Sequence, residues 1–353
     1  MAANDGRALP NQSSAPEGMQ PLANVPEVLE EANRVEVASQ WKLMWWKFRK
    51  HKLAMVGGIV VILIYLVAIG ADFLAPFPSD KYSARHTYAP PQRLRLVLHT
   101  EDGIKLQPHV YGYISKVDPV ALRRSFVADP TKIIPVGFFV ESEPYKMWNI
   151  FTLNRRLIGP KDGSSPMYLF GADRMGRDIF SRMIYGTRVS MTIGLIGVTI
   201  SLILGVVLGG ISGYFGGTVD VVIQRVIEFL RSMPQIPLWM ALAAAIPLSM
   251  SPTTVYLLIT IILSLIGWTG LAREVRGKFL SLKTEDFVIA ARLDGASEMR
   301  IITRHMVPSY LSHIIASVTL AIPAMILSET SLSFLGVGLR PPVVSWGVLL
   351  QEA

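Results

Sequence analysis

Long apolar runs alternate with polar stretches along this chain, and the runs set its architecture. From Leu53 to Ala75 it reads LAMVGGIVVILIYLVAIGADFLA, with one acid near the far end. At 1.5 Å rise per residue, a helix of that length crosses a hydrocarbon core about 30 Å thick. Further apolar stretches fall at about 189–213, 236–250 with a polar approach from Val221, 255–271 and 309–337, so five spans are predicted. The run 76–182 between the first two spans is polar and strand-like. Arg93 to His99 alternates as RLRLVLH, and Ile104 to Ile114 continues beyond Thr100-Glu101-Asp102-Gly103, where Asp-Gly suits a hairpin turn. With Tyr111, Tyr113, Phe138, Phe139, Tyr145 and Trp148 also present, an ordered β-rich insertion outside the cytoplasm is predicted.

Ahead of the first span, residues 1–36 carry Pro, Asn, Ser, Ala and Glu without apolar periodicity, which predicts a disordered cytoplasmic leader. In 37–52, Trp41, Met44, Trp45 and Phe48 recur at helical spacing beside Lys42, Arg49 and Lys50. Two readings fit: an amphipathic helix on the membrane surface, or the tryptophan and lysine belt at the start of a span.

Composition sharpens this picture. The 353 residues could fill two soluble domains, but 51% hydrophobic and 17% charged residues, bunched as they are, place the chain in a membrane. The net charge of +8 is not one basic tract interleaved with stacking aromatics, which argues against nucleic acid. Lys42, Lys47, Arg49, Lys50 and Lys52 flank the first span and place the N-terminus in the cytoplasm. Alternation of spans then returns the polar loop 273–308, with Arg273, Arg276, Lys278 and Lys283, to the cytoplasm. The absence of cysteine excludes disulfides and thiolate metal sites.

The chemistry-bearing patterns are those of packing and docking. Gly205, Gly209, Gly213 and Gly217 recur every fourth residue, as GxxxG contacts between membrane helices do. No GxxxxGK[ST] loop, nucleophile and base pair or HExxH cluster occurs, so no catalytic or metal site is expected and no cofactor is expected on this subunit. In DFVIAARLDGASEMRIITRHMVP, from Asp286 to Pro308, a helix brings Phe287, Ala290, Ala291 and Asp294 to one face, with Gly295 one turn beyond Ala291. That near-bare patch suits a groove on a partner, or packing against the chain's own spans.

Asp286 to Pro308 resembles the cytoplasmic loop of ABC importer permeases, with Ala290, Ala291, Gly295 and Pro308 at matching positions and Ile289 where a glutamate is usual. FGADRMGRDIFSRMIYGTRVSM (170–191), GYFGGTVD (213–220), GWTGLAREVRG (267–277) and SETSLSFLGVGLRPPVVSWG (328–347) resemble the dipeptide, oligopeptide and nickel branch of that family. The resemblance implies an all-α polytopic membrane protein, a permease core over 183–353, in the bacterial inner membrane. It implies a second permease subunit, two ATPase subunits that hold ATP and magnesium, and an extracytoplasmic binding protein. The loop from Asp286 to Pro308 would couple to the ATPases. Peptides are the implied cargo, with oligosaccharides, opines or nickel carried by related systems. Glu329, deep in the last apolar stretch, is either on the cargo path or a structural anchor. The family continues into a sixth span beyond the SWG motif, so a further C-terminal segment is expected. A gradient-driven transporter would need more intramembrane carboxylates or an inverted repeat.

Overall fold

The structure is a computed structural model that describes residues 45–46, 48–100, 103–117, 124–148 and 150–353. The leader 1–36, most of the segment 37–52, and Glu101 and Asp102 of the hairpin turn lie outside the described residues. The chain divides into two compact units, Met1–Gly58 and Ile59–Ala353. In the first, Trp45 stacks on Phe48 with ring centroids 5.8 Å apart.

Helix α1 (Lys52–Ile69) is apolar around its circumference and almost wholly exposed, as a lipid-facing span must be. It ends at Gly70 and a single turn follows, α2 (Ala71–Leu74), so the span closes earlier than the apolar run to Ala75 suggests. The sheet comes next, as β1 (Arg95–Thr100), β2 (Gly103–Val117), β3 (Arg124–Met147) and β4 (Phe151–Pro160), antiparallel and in chain order. The expected hairpin is present, with Thr100 opposite Gly103. The long β3 serves two partners: its first half pairs with β2 and its second with β4. Phe77, Val110, Ile134, Val136 and Met167 form the core of this region.

The helical part holds α3 (Ile179–Phe215), α4 (Gly217–Ser232), α5 (Gln235–Ala244), α6 (Pro252–Leu282), α7 (Asp286–Leu293), α8 (Glu298–Arg300), α9 (Val307–Phe334) and α10 (Trp346–Glu352). A π-helical turn, Ile301–Met306, joins α8 to α9. Asp178 starts α3 by accepting from the Ser181 amide at 2.8 Å, and Ser251 starts α6 in the same way through Thr254.

Among the described residues four helices are long and apolar enough to cross a membrane: α1, α3, α6 and the run Glu298–Phe334. The third predicted span, 236–250, is not one such helix. Only the 10 residues of α5 are helical there, about 15 Å of rise, because Ala245 and Pro247 end the helix.

Side-chain pairs fix how the helices run. Thr192 meets Tyr256, Gly197 meets Ser264, Gly209 meets Ala272 and Gly213 meets Arg276, so α3 and α6 are parallel. The intervening α4 and α5 must together carry the chain back. By contrast Gly194 meets Ile326, Ser190 meets Glu329 and Gly186 meets Ser345, so α9 is antiparallel to α3. One end of the bundle therefore gathers the end of α3, the end of α6 and the segment from Asp286 to Met306. The other gathers the start of α3, the end of α9 and α10.

Gly205, Gly209 and Gly213 lie on the face of α3 that meets α6. A Cβ at Gly209 would stand 2.4 Å from the Ala272 carbonyl oxygen, and one at Gly213 2.7 Å from that of Arg276. Two backbones can approach so closely only where side chains are missing. The main core, around Ile193, Val198, Ile259, Leu263, Met325 and Leu332, lies between α3, α6 and α9.

Candidate functional site

At the α7 end of the bundle, helix and turn chemistry build a small bracket. Asp286 opens α7, where a negative charge suits the helix N-terminus. Asp294 closes it, and Gly295 follows at φ +75°, a left-handed conformation that lets the Ala296 amide return to the Ala291 carbonyl at 3.0 Å. The chain then reverses into α8 and the π-helical turn. Pro308 follows the π-helical turn directly, at the point where its i→i−5 bonding, ending with the Val307 N–H on the Ile302 carbonyl, gives way to α9.

Val288, Ala291, Ile301 and Met306 turn inward onto Tyr214, Val275, Phe279 and Leu282. Ala291 is thus 8% exposed and faces the chain's own bundle. Of the four residues that helical spacing sets near one face, Phe287, Ala290 and Asp294 are exposed and Ala291 packs on the chain's own bundle. The outward face carries Phe287, Ile289, Ala290, Leu293, Asp294 and Met299, and Leu293 is 83% exposed. Helix α6 runs on to Leu282, so the first part of the segment 273–308 is helical.

Beside this bracket, Arg276 donates two hydrogen bonds of 2.5 Å to Asp220, and Ser212 donates a third at 2.5 Å. The Arg276 bonds hold the Asp220 carboxyl below its ordinary range. Asp220 opens α4, Ser212 ends α3 and Arg276 lies on α6, so one carboxylate ties three helices at the end where the bracket sits. Arg292 reaches the same region by donating to the Tyr214 hydroxyl at 3.2 Å.

Glu329 is fully buried and is the hub of a hydroxyl network at the opposite end. Ser333 and Ser345 donate to its Oε1 at 2.7 and 2.8 Å, and Ser190 to its Oε2 at 3.4 Å. Each serine in turn accepts a backbone N–H: Leu339 to Ser333 at 3.0 Å, Val348 to Ser345 at 3.2 Å, Trp346 to Ser190 at 3.1 Å. The carboxyl group thus orients the turn after α9 and the start of α10 against α3.

An ionic cluster lies near this hub. Asp173 accepts from Arg177 Nε at 2.7 Å and from Arg182 Nη1 at 2.6 Å, and both arginines also bind Glu352. Burial alone would raise the Asp173 carboxyl, but hydrogen bonds from Arg177 outweigh it and hold the group below the usual range. Asp178, five residues further on, makes no ion pair among the described residues, and burial pushes it up to about 6 against the bonds from Ser181. Among the described residues no group of His, Cys, Asp or Glu is placed to hold a metal ion.

Sequence reasoning missed Ser190, Ser345, Asp220 with Arg276, and the cluster of Asp173, Arg177, Arg182 and Glu352. All but Glu352 fall inside the motif stretches quoted above. The motifs were therefore visible, but their mutual contacts were not.

Of these residues, Asp220, Arg276, Ser345 and Glu352 fall within a match to a known family. Residues 205–353 match the family described as binding-protein-dependent transport system inner membrane component, and residues 39–91 match the N-terminal TM domain of oligopeptide transport permease C. The dipeptide transport system permease protein DppC of Lactococcus lactis subsp. cremoris is 38% identical over 87% of this chain and 78% of its own length. The chain belongs to the peptide permease family of ABC importers. It is an inner-membrane, multi-pass transport component and not a catalytic subunit. The Bacillus subtilis DppC is 38% identical over 52% of this chain, and the match spans 55% of that relative's length. The glutathione transport system permease protein GsiD of Pectobacterium atrosepticum is 35% identical over 63% of this chain and 70% of its own.

Proposed function

We propose that this chain forms one half of the membrane pore of a binding-protein-dependent importer of di- or oligopeptides. The other half is a second permease subunit. Two ATPase subunits, which carry ATP and magnesium, engage the bracket from Asp286 to Pro308, and an extracytoplasmic binding protein delivers cargo. The N-terminus is cytoplasmic and the sheet lies outside. The observation that carries the coupling role is the two-sidedness of α7. Its inner side is bolted to α3 and α6 through Val288 and Ala291, while Phe287, Ile289 and Leu293 stand exposed at the tip of the bundle. An apolar patch on a rigid bracket fits a partner groove, and movement of that partner would pass directly into the spans. The hydrolytic machinery belongs to the ATPases, and this subunit converts their closure into a change of helix arrangement.

Glu329 acts as a structural anchor in this reading, since its carboxyl oxygens are occupied by serine hydroxyls. The test of coupling is Leu293→Asp together with Phe287→Asp in the assembled transporter. ATPase co-purification and stimulation of hydrolysis by loaded binding protein should both fall, while membrane insertion is kept. Full stimulation in the double variant would refute the docking role. Cargo class is tested separately, by measuring di- and tripeptide binding to the cognate binding protein.

A further inference from the structure

The tip of the β3–β4 hairpin meets the outer end of the first span. Met147 pairs with Phe151, and the Ile150 amide closes the turn on the Met147 carbonyl at 3.0 Å. Within that turn Trp148 adopts φ +56°, a left-handed conformation unfavourable for a bulky side chain, so its placement is imposed by its contacts. Its indole Nε1 donates to the carbonyl of Ile69, the last residue of α1, at 3.1 Å. The guanidinium of Arg188 lies 5.5 Å from the centre of its ring. Arg188 also donates to the Ala68 carbonyl at 3.0 Å and pairs with Asp72 at 2.7 Å. The last carbonyls of a membrane helix have no intrahelical partners, and in this chain an indole and a guanidinium supply them where hydrocarbon gives way to headgroups.

The rest of the tip is apolar and uncovered. Ile150 is 73% exposed and Phe151 64%, beside Trp148 at 53%, and Lys146 stands exposed just behind them. We propose that this tip is seated in the outer headgroup and acyl boundary of the lipid bilayer, with Ile150 and Phe151 in the upper acyl region and Lys146 among lipid phosphates. The proposal rests on the reading of α1 as a membrane span. The hydrogen bond from Trp148 to Ile69 places the tip at the level where that span ends. An amphipathic indole with apolar neighbours and a nearby lysine is the composition that this boundary favours. The insertion is thereby held down at the bilayer surface beside its own first span, and is fixed in height for whatever docks on the outer face.

The absence of native cysteine makes the test direct. Ile150→Cys and Phe151→Cys, each labelled with a small environment-sensitive fluorophore in the assembled transporter in liposomes, are compared with Glu143→Cys on the same hairpin and Ile62→Cys within α1. The expected result is a blue-shifted label at 150 and 151, quenched by phospholipid brominated near the headgroup end of its chains and shielded from iodide, with the reverse at 143. Iodide quenching at 150 and 151 equal to that at 143, while the label at 62 is quenched by lipid, overturns the proposal and leaves the span intact. Shielding that arises only on addition of the binding protein also overturns it, in favour of a protein contact. A label at 62 quenched by iodide would instead overturn the span reading on which the proposal rests.

Discussion

Replacing Glu329 by leucine would remove the acceptor at the centre of a buried network. Three serine hydroxyls point at its carboxyl oxygens, at 2.7, 2.8 and 3.4 Å, in a place where water is excluded. An unmatched buried polar group costs about 1 to 3 kcal/mol. The serines share one network and can partly reorient, so the losses are not additive, and a total of about 3 kcal/mol is expected. Glutamine behaves differently. Its carbonyl oxygen can still accept from Ser333 and Ser345, so only the long bond from Ser190 is exchanged, for a loss of about 1 kcal/mol. The assay is thermal unfolding of the purified complex, paired with protease sensitivity of residues 335–346 and peptide uptake in proteoliposomes. Leu should lower the midpoint and expose the segment before α10, whereas Gln should keep most of both. If Gln abolished uptake as completely as Leu, with unchanged stability, the carboxylate charge itself would be required and the anchor argument would fail.

Gly209→Leu should prevent assembly of the helical core, since even the Cβ would stand 2.4 Å from a backbone oxygen of α6, and overpacking of this kind costs about 1 to 3 kcal/mol or more. Retention of a folded, detergent-stable subunit would contradict the close approach of α3 and α6. Arg156→Gln should loosen the sheet from α2, because the buried guanidinium donates to the carbonyls of Asp72 and Ala75 at 3.0 and 2.7 Å; proteolysis of residues 95–160 reads this out. Asp178 gives a pH signature. Its folded value is raised to about 6 by burial, so the folded state prefers the protonated acid, and stability falls as pH rises from the unfolded carboxyl value through about 6. Asp178→Asn should therefore be more stable than the native chain at pH 7.5, with the difference vanishing near pH 4; an advantage independent of pH would refute it. Ala291→Arg should lower subunit stability itself, since that side chain faces Phe279 and Tyr214, and normal thermal stability in the variant would contradict the inward placement.

Much of the helical pattern was legible because it is local. An uninterrupted apolar run announces a span through length alone, and alternation from Arg93 to His99 announces a strand through its period of two. The run 236–250 is apolar enough for a span, but Pro234 before α5 and the turn at Ala245 after it limit that helix to 10 residues, so α4 and α5 make the return together, and hydropathy does not register a break in hydrogen bonding. On α7 the sequence supplied helical spacing but could not say which side faces the bundle. Phe287, Ala290 and Asp294 stay outward, whereas Ala291 follows Val288 inward, because Tyr214 and Phe279 from α3 and α6 wait on that side.

By itself, the sequence determined that this is a membrane-embedded permease with a strand-patterned polar insertion, a glycine ridge at 205, 209 and 213, and a motif loop that ends at Pro308. These are properties of composition, of short-range periodicity and of motifs read in order. Only the tertiary structure decided that α3 and α6 pack backbone to backbone along the glycine ridge, and that Glu329 is held by Ser190 from far upstream. Only it brought Glu352 to Arg177 and Arg182, partners 175 and 170 residues away. Such pairings depend on the path of the whole chain. A buried charge or hydroxyl must find a partner, but which one it meets is set by how helices cross and where the chain turns back, and that is a sum over many weak contacts that no local pattern records.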